Sequence, residues 1–194
     1  MRKVVMFNSI SLEGFFETLD HRIDWVNTDA EFNKFTTENA QSDDVDGFIL
    51  GRKTYDMMSS FWPTEFALQS NPVVARRMNE LPKYVFSRTL KSVDWSNSEL
   101  VKGDAVQELK RIKHLPGKDL VIFGSGNLSK TFINNDLIDE FQLIVNPILL
   151  ASGTPLFQDL NNSVRLKLLN VRTFGNGNVL MIYQPDRTTT SDAA

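Results

Sequence analysis

Short apolar runs alternate with helix-like segments along most of the chain, and this alternation limits the possible folds more than any other feature. Runs rich in Val, Ile and Phe occupy residues 3–10, 46–50, 83–87 and 120–123, with a brief fifth run at 100–101. The spacing predicts intervening helices at 28–40, 51–62, 72–81, 104–114 and 127–134. Strands that alternate with helices in this way form mostly parallel sheets covered on both faces, so the sequence predicts an α/β fold.

The end of the chain departs from this alternation, because strand-like runs follow one another at 140–145, 164–174 and 178–184. Gly175 to Gly177 suits a hairpin turn between the last two runs, which predicts an antiparallel C-terminal ribbon. The apolar residues in this region predict that the chain forms a homodimer through its late strands, with Ile144, Ile148, Leu149 and Leu150 as the candidate contacts. We expect one domain over residues 1–185 and a loose polar tail over 186–194.

Composition excludes several classes of function. The 194 residues contain no cysteine and two histidines, which excludes disulfides, thiolate metal sites, a cysteine nucleophile and a histidine-rich metal site. A net charge of −3 argues against nucleic acid as the main partner. No apolar stretch approaches the ~20 residues that span a bilayer, and the N-terminus is typical of a first strand rather than a signal peptide. We therefore expect a cytoplasmic protein with a small-molecule substrate and no membrane or nucleic-acid partner.

Three strand ends could bind phosphate, since ligands of open α/β sheets lie beyond the carboxyl ends of the strands. The first is Gly51-Arg52-Lys53-Thr54, where a strand leads through glycine into a basic helix start. The second is Ser87-Arg88-Thr89, which suits a phosphate monoester such as the 2′-phosphate of NADP. The third is Gly124-Ser125-Gly126-Asn127-Leu128, a strand–turn–helix segment that suits a pyrophosphate but lacks the full G-x-G-x-x-G spacing. Each also fits an ordinary turn with solvated side chains.

The candidate substrate side lies near the first predicted helix. Thr28 and Glu31 have the spacing of a capping box, which predicts Thr28 as the N-cap and places Asp29 in the first turn. The Asp29 carboxylate could bind or protonate a heterocycle, or it could simply stabilise the helix dipole. Glu13, Asp24 and Trp25 flank the same predicted cleft.

Taken in order, these segments resemble the C-terminal reductase domain of the riboflavin-biosynthesis enzymes (RibD C-terminal-like), within the dihydrofolate reductase superfamily. The residues that carry the resemblance are Ser11–Phe15, Ile23–Trp25, Gly51–Tyr55, Lys83–Thr89, Gly124–Leu128, Pro147-Ile148 and Gly153–Phe157. Ser125 stands where a second glycine is common in that family, and Glu13 where the family usually has Asp. The resemblance implies a dihydrofolate-reductase-like three-layer αβα fold, an NADPH cofactor and commonly a homodimer.

Carried over to this chain, the resemblance assigns Gly51, Arg52, Lys53 and Thr54 to the cofactor phosphates. Ser87, Arg88 and Thr89 would hold the 2′-phosphate, and Gly124 to Leu128 would contact the pyrophosphate and nicotinamide side. Asp29 is the nearest match to the acid that binds pterin in dihydrofolate reductase. Glu13, Asp24 and Trp25 would contact the substrate, and no metal is implied.

The leading interpretation is an NADPH-dependent oxidoreductase that reduces a small polar heterocycle or carbonyl. Motif similarity favours 5-amino-6-(5-phosphoribosylamino)uracil, the riboflavin-pathway substrate, over dihydrofolate. Without cysteine the chain cannot contain the zinc deaminase site of the bifunctional riboflavin enzymes, so it would act as a stand-alone reductase. A nucleotide-binding module without turnover and a pure interaction protein remain the alternatives.

Overall fold

An eight-stranded sheet with helices on both faces forms the body of the protein in a computed structural model that describes residues 1–187. The helices are α1 (Ala30–Gln41), α2 (Arg52–Phe61), α3 (Glu65–Ser70), α4 (Pro72–Glu80), α5 (Ala105–His114) and α6 (Gly126–Asn134). The strands are β1 (Val4–Ile10), β2 (Phe15–Glu17), β3 (Val45–Gly51), β4 (Lys83–Phe86), β5 (Ser98–Val101), β6 (Asp119–Phe123), β7 (Glu140–Val145), β8 (Thr154–Pro155), β9 (Leu166–Thr173) and β10 (Val179–Pro185).

The strand order in the main sheet is β5-β4-β3-β6-β1-β7-β10-β9. Neighbours from β5 to β7 run parallel, whereas β10 is antiparallel to both β7 and β9. The structure therefore confirms the mixed, mostly parallel sheet and the antiparallel C-terminal ribbon. Gly177, in the predicted hairpin turn, has the left-handed φ of 88° that such a turn requires.

Apolar residues alternate along the central strands, and the two faces of the sheet pack against different helices. Val4 and Met6 of β1 join a core with Leu109 of α5 and Phe132 of α6. On the opposite face, Phe48 and Leu50 pack with residues of α2 and α4, while the side chains of α1 pack with those of β7 and β10. Two helix layers thus enclose the sheet, as the alternation of strands and helices predicts.

Some local elements differ from the expectation. The N-cap of α1 is Asp29 rather than Thr28, because the Asp29 carboxylate accepts a hydrogen bond from Phe32 N at 2.8 Å. The short helix α3 and the two-stranded β2–β8 sheet were not predicted, since segments of two to six residues carry little periodicity.

One expectation about the end of the chain needs correction. Ile144 is fully buried in the core beside α1, so it cannot form part of a dimer surface, although Leu149 is exposed. At the first two positions of the expected tail, Asp186 N donates to Arg165 O at 2.8 Å and Arg187 pairs with Asp136 at 3.1 Å. Residues 188–194, the rest of that predicted tail, lie outside the described residues.

Within residues 1–187 no helix has the length and apolar character to cross a membrane.

Candidate functional site

The three strand ends singled out in the sequence lie side by side in the sheet. They follow β4, β3 and β6, which are consecutive neighbours, and β1 comes next in the order. The pairs match residue for residue near their ends, with Gly51 beside Phe86 and Leu50 beside Phe123. The structure therefore brings all three candidate phosphate segments to one edge.

Helix α2 begins at this edge without a side-chain cap. Its N-cap is Gly51, and its first turn contains Arg52 and Lys53 but no acidic residue. Backbone N–H groups at such a helix start attract anions, and nearby cations strengthen the attraction. Thr54, in the same turn, is buried.

Helix α6 begins beside it and also has no side-chain cap, with Ser125 as the N-cap residue in a left-handed conformation. Among the helices of residues 1–187, the other four are all capped by a side-chain oxygen, from Asp29, Thr64, Asn71 and Asp104. The two helix starts that could accept an external anion are therefore the two that adjoin each other at the ends of β3 and β6.

Direct hydrogen bonds link the three segments. Gly51 N donates to Ser125 Oγ at 2.8 Å, which joins the turns after β3 and β6. Arg52 Nη1 donates to Thr89 Oγ1 at 3.0 Å, which joins α2 to the segment after β4. These contacts link the three predicted cofactor segments through hydrogen bonds.

In the predicted 2′-phosphate segment, one side chain makes hydrogen bonds within the turn and another is exposed. Ser87 Oγ accepts hydrogen bonds from Thr89 N at 3.3 Å and Leu90 N at 3.1 Å, so it shapes the loop. The Arg88 side chain is exposed beside it. In the first turn of α6, Asn127 is exposed, whereas Leu128 packs against the core.

A loop between β2 and α1 reaches the start of α2, and the sequence analysis missed this contact. His21 has its Nε2 3.0 Å from Lys53 Nζ and its Nδ1 2.8 Å from Glu17 Oε1. His21 also has a left-handed φ of 62°, a conformation that is uncommon outside glycine but more frequent for histidine, asparagine and aspartate than for other residues. The approach depends on how the loop folds over α2, so no local motif signals it.

A groove of about 1030 Å³ lies on the sheet face between α1 and the helices α2 and α4, and Phe123 lines it at the carboxyl end of β6. Its floor includes Phe7, Phe48 and Phe123, with the Phe48 and Phe123 ring centroids 5.3 Å apart and those of Phe7 and Phe123 6.1 Å apart. Asn33 and Thr36 of α1 form a polar wall. Because Phe123 directly precedes Gly124, the aromatic floor adjoins the candidate cofactor surface.

The opposite end of the groove is charged. Asp43, Asp44, Asp119 and Glu140 line it together with Lys3, Arg77 and Lys118. Arg77 donates to Ser42 O and to Val45 O, and Lys118 is paired with Asp43, so two of these cations already have partners.

None of the four predicted substrate and catalytic residues, Glu13, Asp24, Trp25 and Asp29, lines the groove. Glu13 is exposed in the turn before β2, and Asp24 pairs with Arg22 at 2.5 Å on the surface. Trp25 is half-buried, and its indole Nε1 is buried without a hydrogen-bond partner among the described residues. Asp29 uses its carboxylate to cap α1. No cluster of acidic residues and histidines within residues 1–187 could hold a metal ion.

Known proteins are similar to this chain in both sequence and architecture. The family model of the RibD C-terminal domain matches residues 2–180. "Uncharacterized protein YyaP" of Bacillus subtilis (strain 168) is 31% identical over 184 residues, which cover 94% of each chain. A putative riboflavin biosynthesis protein from Shewanella sp. PV-4 has a crystal structure that is 25% identical, with a TM-score of 0.69 over 96% of this chain and 100% of that one.

A dihydrofolate reductase from Enterococcus faecalis, solved with NADP(H), has a TM-score of 0.64 at 14% identity over 95% of this chain and 96% of that one. This likeness concerns the fold alone. It confirms the dihydrofolate-reductase-like architecture expected from the ordered motifs.

Proposed function

Because this chain belongs to the RibD C-terminal domain family, we propose that it is an NADPH-dependent reductase of a small heterocyclic substrate. The observation that carries the proposal is the pair of adjoining helix starts of α2 and α6, both without side-chain caps and both at the end of central strands. Two helix starts that face one ligand can each bind one phosphate of a pyrophosphate.

The residues at this edge fit a dinucleotide. Gly51 leaves no room for a side chain, since a Cβ there would lie 2.5 Å from Ser125 Oγ, and this permits the close approach of the two turns. Arg52, Lys53 and Thr54 would hold the phosphates, together with Gly124, Ser125, Gly126 and Asn127. Ser87, Arg88 and Thr89 would hold the 2′-phosphate, and the contact between Arg52 and Thr89 places that segment beside the first.

The groove would hold the substrate. A flat heterocycle can stack on the ring of Phe123 and meet the perpendicular ring of Phe7 edge to face, with its polar edge toward Asn33 and Thr36. When bound, NADPH supplies the hydride, and the chain's residues position both partners and limit access of water. We propose a substrate of the 5-amino-6-(5-phosphoribosylamino)uracil type, as in riboflavin biosynthesis, and dihydrofolate is the alternative.

Asp29 is our candidate for a group that binds or protonates the substrate. It lies at the N-terminus of α1, and its Oδ1 accepts the Phe32 amide hydrogen. The second carboxylate oxygen can still face a ligand, because one cap contact uses one oxygen. Asp24 and Trp25, in the loop between β2 and α1, and Glu13, in the turn before β2, would contact the substrate if these two segments move toward the groove.

A nucleotide-binding module without turnover is the second candidate. The groove supports this alternative, because its acidic lining residues follow α1 or belong to the starts of β6 and β7, far from the cofactor edge. If Asp29 acts only as a helix cap, the described groove residues other than these distant acids include no carboxylate or histidine to donate a proton.

An NADPH oxidation assay tests the proposal. Purified protein is mixed with NADPH and with either the phosphoribosylaminouracil or dihydrofolate, and the loss of reduced cofactor is followed. Oxidation that depends on one substrate supports the reductase. Saturable NADPH binding without oxidation of either mixture supports the module, and no binding contradicts both candidates.

A further inference from the structure

Ser125 adopts a backbone conformation that glycine would adopt at lower cost. Its φ is 62° and its ψ is 59°, in the left-handed region that disfavours residues with a Cβ. A glycine at this position would avoid that strain. A serine here therefore needs a compensating contact from its hydroxyl group.

The hydroxyl makes two contacts, and both reach the start of α2. Ser125 Oγ accepts a hydrogen bond from Gly51 N at 2.8 Å and lies 2.8 Å from Thr54 Oγ1. Gly51 is the N-cap of α2 and Thr54 lies in its first turn, so one oxygen atom joins the starts of two helices. These partners are 74 and 71 residues away in the chain.

The rest of the turn is held from the other side. Ser129 Oγ donates to Gly124 O at 2.9 Å, and Asn8, with its amide oriented to satisfy both groups, accepts from Gly124 N at 3.1 Å. Gly124 also packs closely, since a Cβ there would lie 3.0 Å from Thr54 Oγ1. Ser129 fixes the turn to its own helix α6 and Asn8 fixes it to the neighbouring strand β1, whereas within residues 1–187 only Ser125 connects it to α2 through hydrogen bonds.

We propose that Ser125 and Thr54 form a hydroxyl bridge that positions the starts of α2 and α6 relative to each other for the two phosphates of one dinucleotide. The inference rests on the proposed function and gives Ser125 a positioning role. The two hydroxyl groups have two protons, and their mutual hydrogen bond uses one of them. The remaining proton can be donated to a phosphate oxygen, so the pair binds as a unit.

The test compares Ser125→Gly and Ser125→Ala with the control Ser129→Ala, which removes a hydroxyl that contacts the same turn but not α2. We measure the NADPH dissociation constant and the hydrogen exchange of the Gly51 amide without ligand. Both Ser125 variants are expected to raise the NADPH dissociation constant roughly tenfold, which corresponds to the loss of one typical hydrogen bond. Both are also expected to lose the protection of the Gly51 amide against hydrogen exchange. Ser129→Ala is expected to change the dissociation constant less than about threefold.

Comparison of the two Ser125 variants separates the effect of backbone strain on NADPH affinity from the effect of the hydroxyl group. Ser125→Gly relieves the left-handed strain and Ser125→Ala does not, so equal loss of NADPH affinity in both assigns the effect to the hydroxyl. Unchanged Gly51 exchange in Ser125→Gly would overturn the bridge, and wild-type NADPH affinity in that variant would overturn the positioning role. If the wild-type protein binds no NADPH, both the proposed function and the positioning role fail. The bridge itself is judged separately, because protection of the Gly51 amide in wild type but not in Ser125→Gly shows that the bridge exists even without cofactor binding.

A double variant tests whether the two hydroxyls act as a unit. Thr54→Val keeps the shape of Thr54 and removes its hydroxyl, and alone it is expected to weaken NADPH by roughly tenfold. The combination with Ser125→Gly is expected to lose much less than the hundredfold product of independent effects, because the first change already breaks the bridge. A full hundredfold loss would contradict the bridge.

Discussion

At the residue scale, Lys83 shows how a charge can be placed inside this fold. Its side chain is fully buried, and the ammonium donates to the carbonyls of Asn79 at 3.1 Å, Leu81 at 2.7 Å and Ser96 at 2.9 Å. The ring of Trp95 lies 4.5 Å away and also favours the cation. Lys83 thereby ties the end of α4 to the start of β4.

Burial lowers the pKa of Lys83 from 10.5 to about 8, and this makes stability depend on pH. Between these two values the unfolded chain keeps a proton that the folded protein has lost, so the free energy of unfolding rises with pH. Urea unfolding at about pH 7 and about pH 10 should show wild type gaining up to roughly 3 kcal/mol relative to Lys83→Met. Parallel pH profiles would mean that the three carbonyls and Trp95 hold the pKa near its usual value.

Arg88 is the residue that should distinguish NADPH from NADH. We expect Arg88→Ala to weaken NADPH by roughly 1.5–3 kcal/mol, because a charge-assisted contact to the 2′-phosphate is lost, and to leave NADH nearly unchanged. Calorimetric titration with both cofactors measures the difference, with Arg76→Ala, an exposed arginine on α4, as the control. Equal loss for both cofactors rejects the assignment.

Local sequence predicts some of these residues and not others. Gly51 to Thr54 and Gly124 to Leu128 could be found because an apolar run leads directly into glycine and a helix start. The contacts of Ser125 with Gly51 and of Lys53 with His21 could not be predicted, because the partners are 74 and 32 residues apart. These contacts depend on the order of the strands in the sheet and on the fold of the loop between β2 and α1. Contacts of that range have no local signal.

At the element scale, α1 combines a structural and a proposed chemical role at one residue. Asn caps helices about as well as Asp, so Asp29→Asn should keep the melting temperature of wild type, whereas Asp29→Ala should lose roughly 1 kcal/mol of stability. If the carboxylate transfers a proton, Asp29→Asn should lower kcat by roughly a hundredfold or more while NADPH binding persists. Full activity of the asparagine variant would leave Asp29 with the capping role alone.

The elements themselves were predictable in proportion to their length and periodicity. Helix α5 follows from the spacing of Leu109 and Ile112, both fully buried, and from its Asp104 cap. The α1 boundary was wrong by one position because Thr28 and Asp29 are both good N-cap residues. N-cap propensity does not distinguish two adjacent capping residues, because the surrounding structure determines which of them caps the helix.

At the scale of the whole molecule, the alternation of apolar strand-like runs with helices predicted a mixed sheet but did not predict the order of its strands. β6 inserts between β3 and β1, and this order makes the three candidate phosphate segments neighbours. The order depends on which crossovers pack best, which composition and periodicity do not encode. The candidate site is therefore a property of the assembled sheet more than of any one motif.

The exposed apolar residues of the edge strand β9 form a candidate contact surface for the predicted homodimer. Four of its apolar side chains are between 39% and 49% exposed, namely Leu166, Leu168, Leu169 and Val171. Long apolar edge strands favour pairing with another chain. We expect light scattering to show a dimer for wild type and a monomer for Leu168→Glu, while Leu115→Glu, at another exposed leucine, remains dimeric. A monomeric wild type would contradict the prediction.

The most direct test of the central claim is a titration of the wild-type protein with NADPH and with NADH, followed by tryptophan fluorescence. Trp25 and Trp62 are half-buried, and Trp62 lines the groove. We predict saturable binding of both cofactors, with NADPH clearly tighter because of the phosphate contacts at Ser87 to Thr89. Absence of binding, or equal affinity for the two, would contradict the assignment of this edge to NADPH.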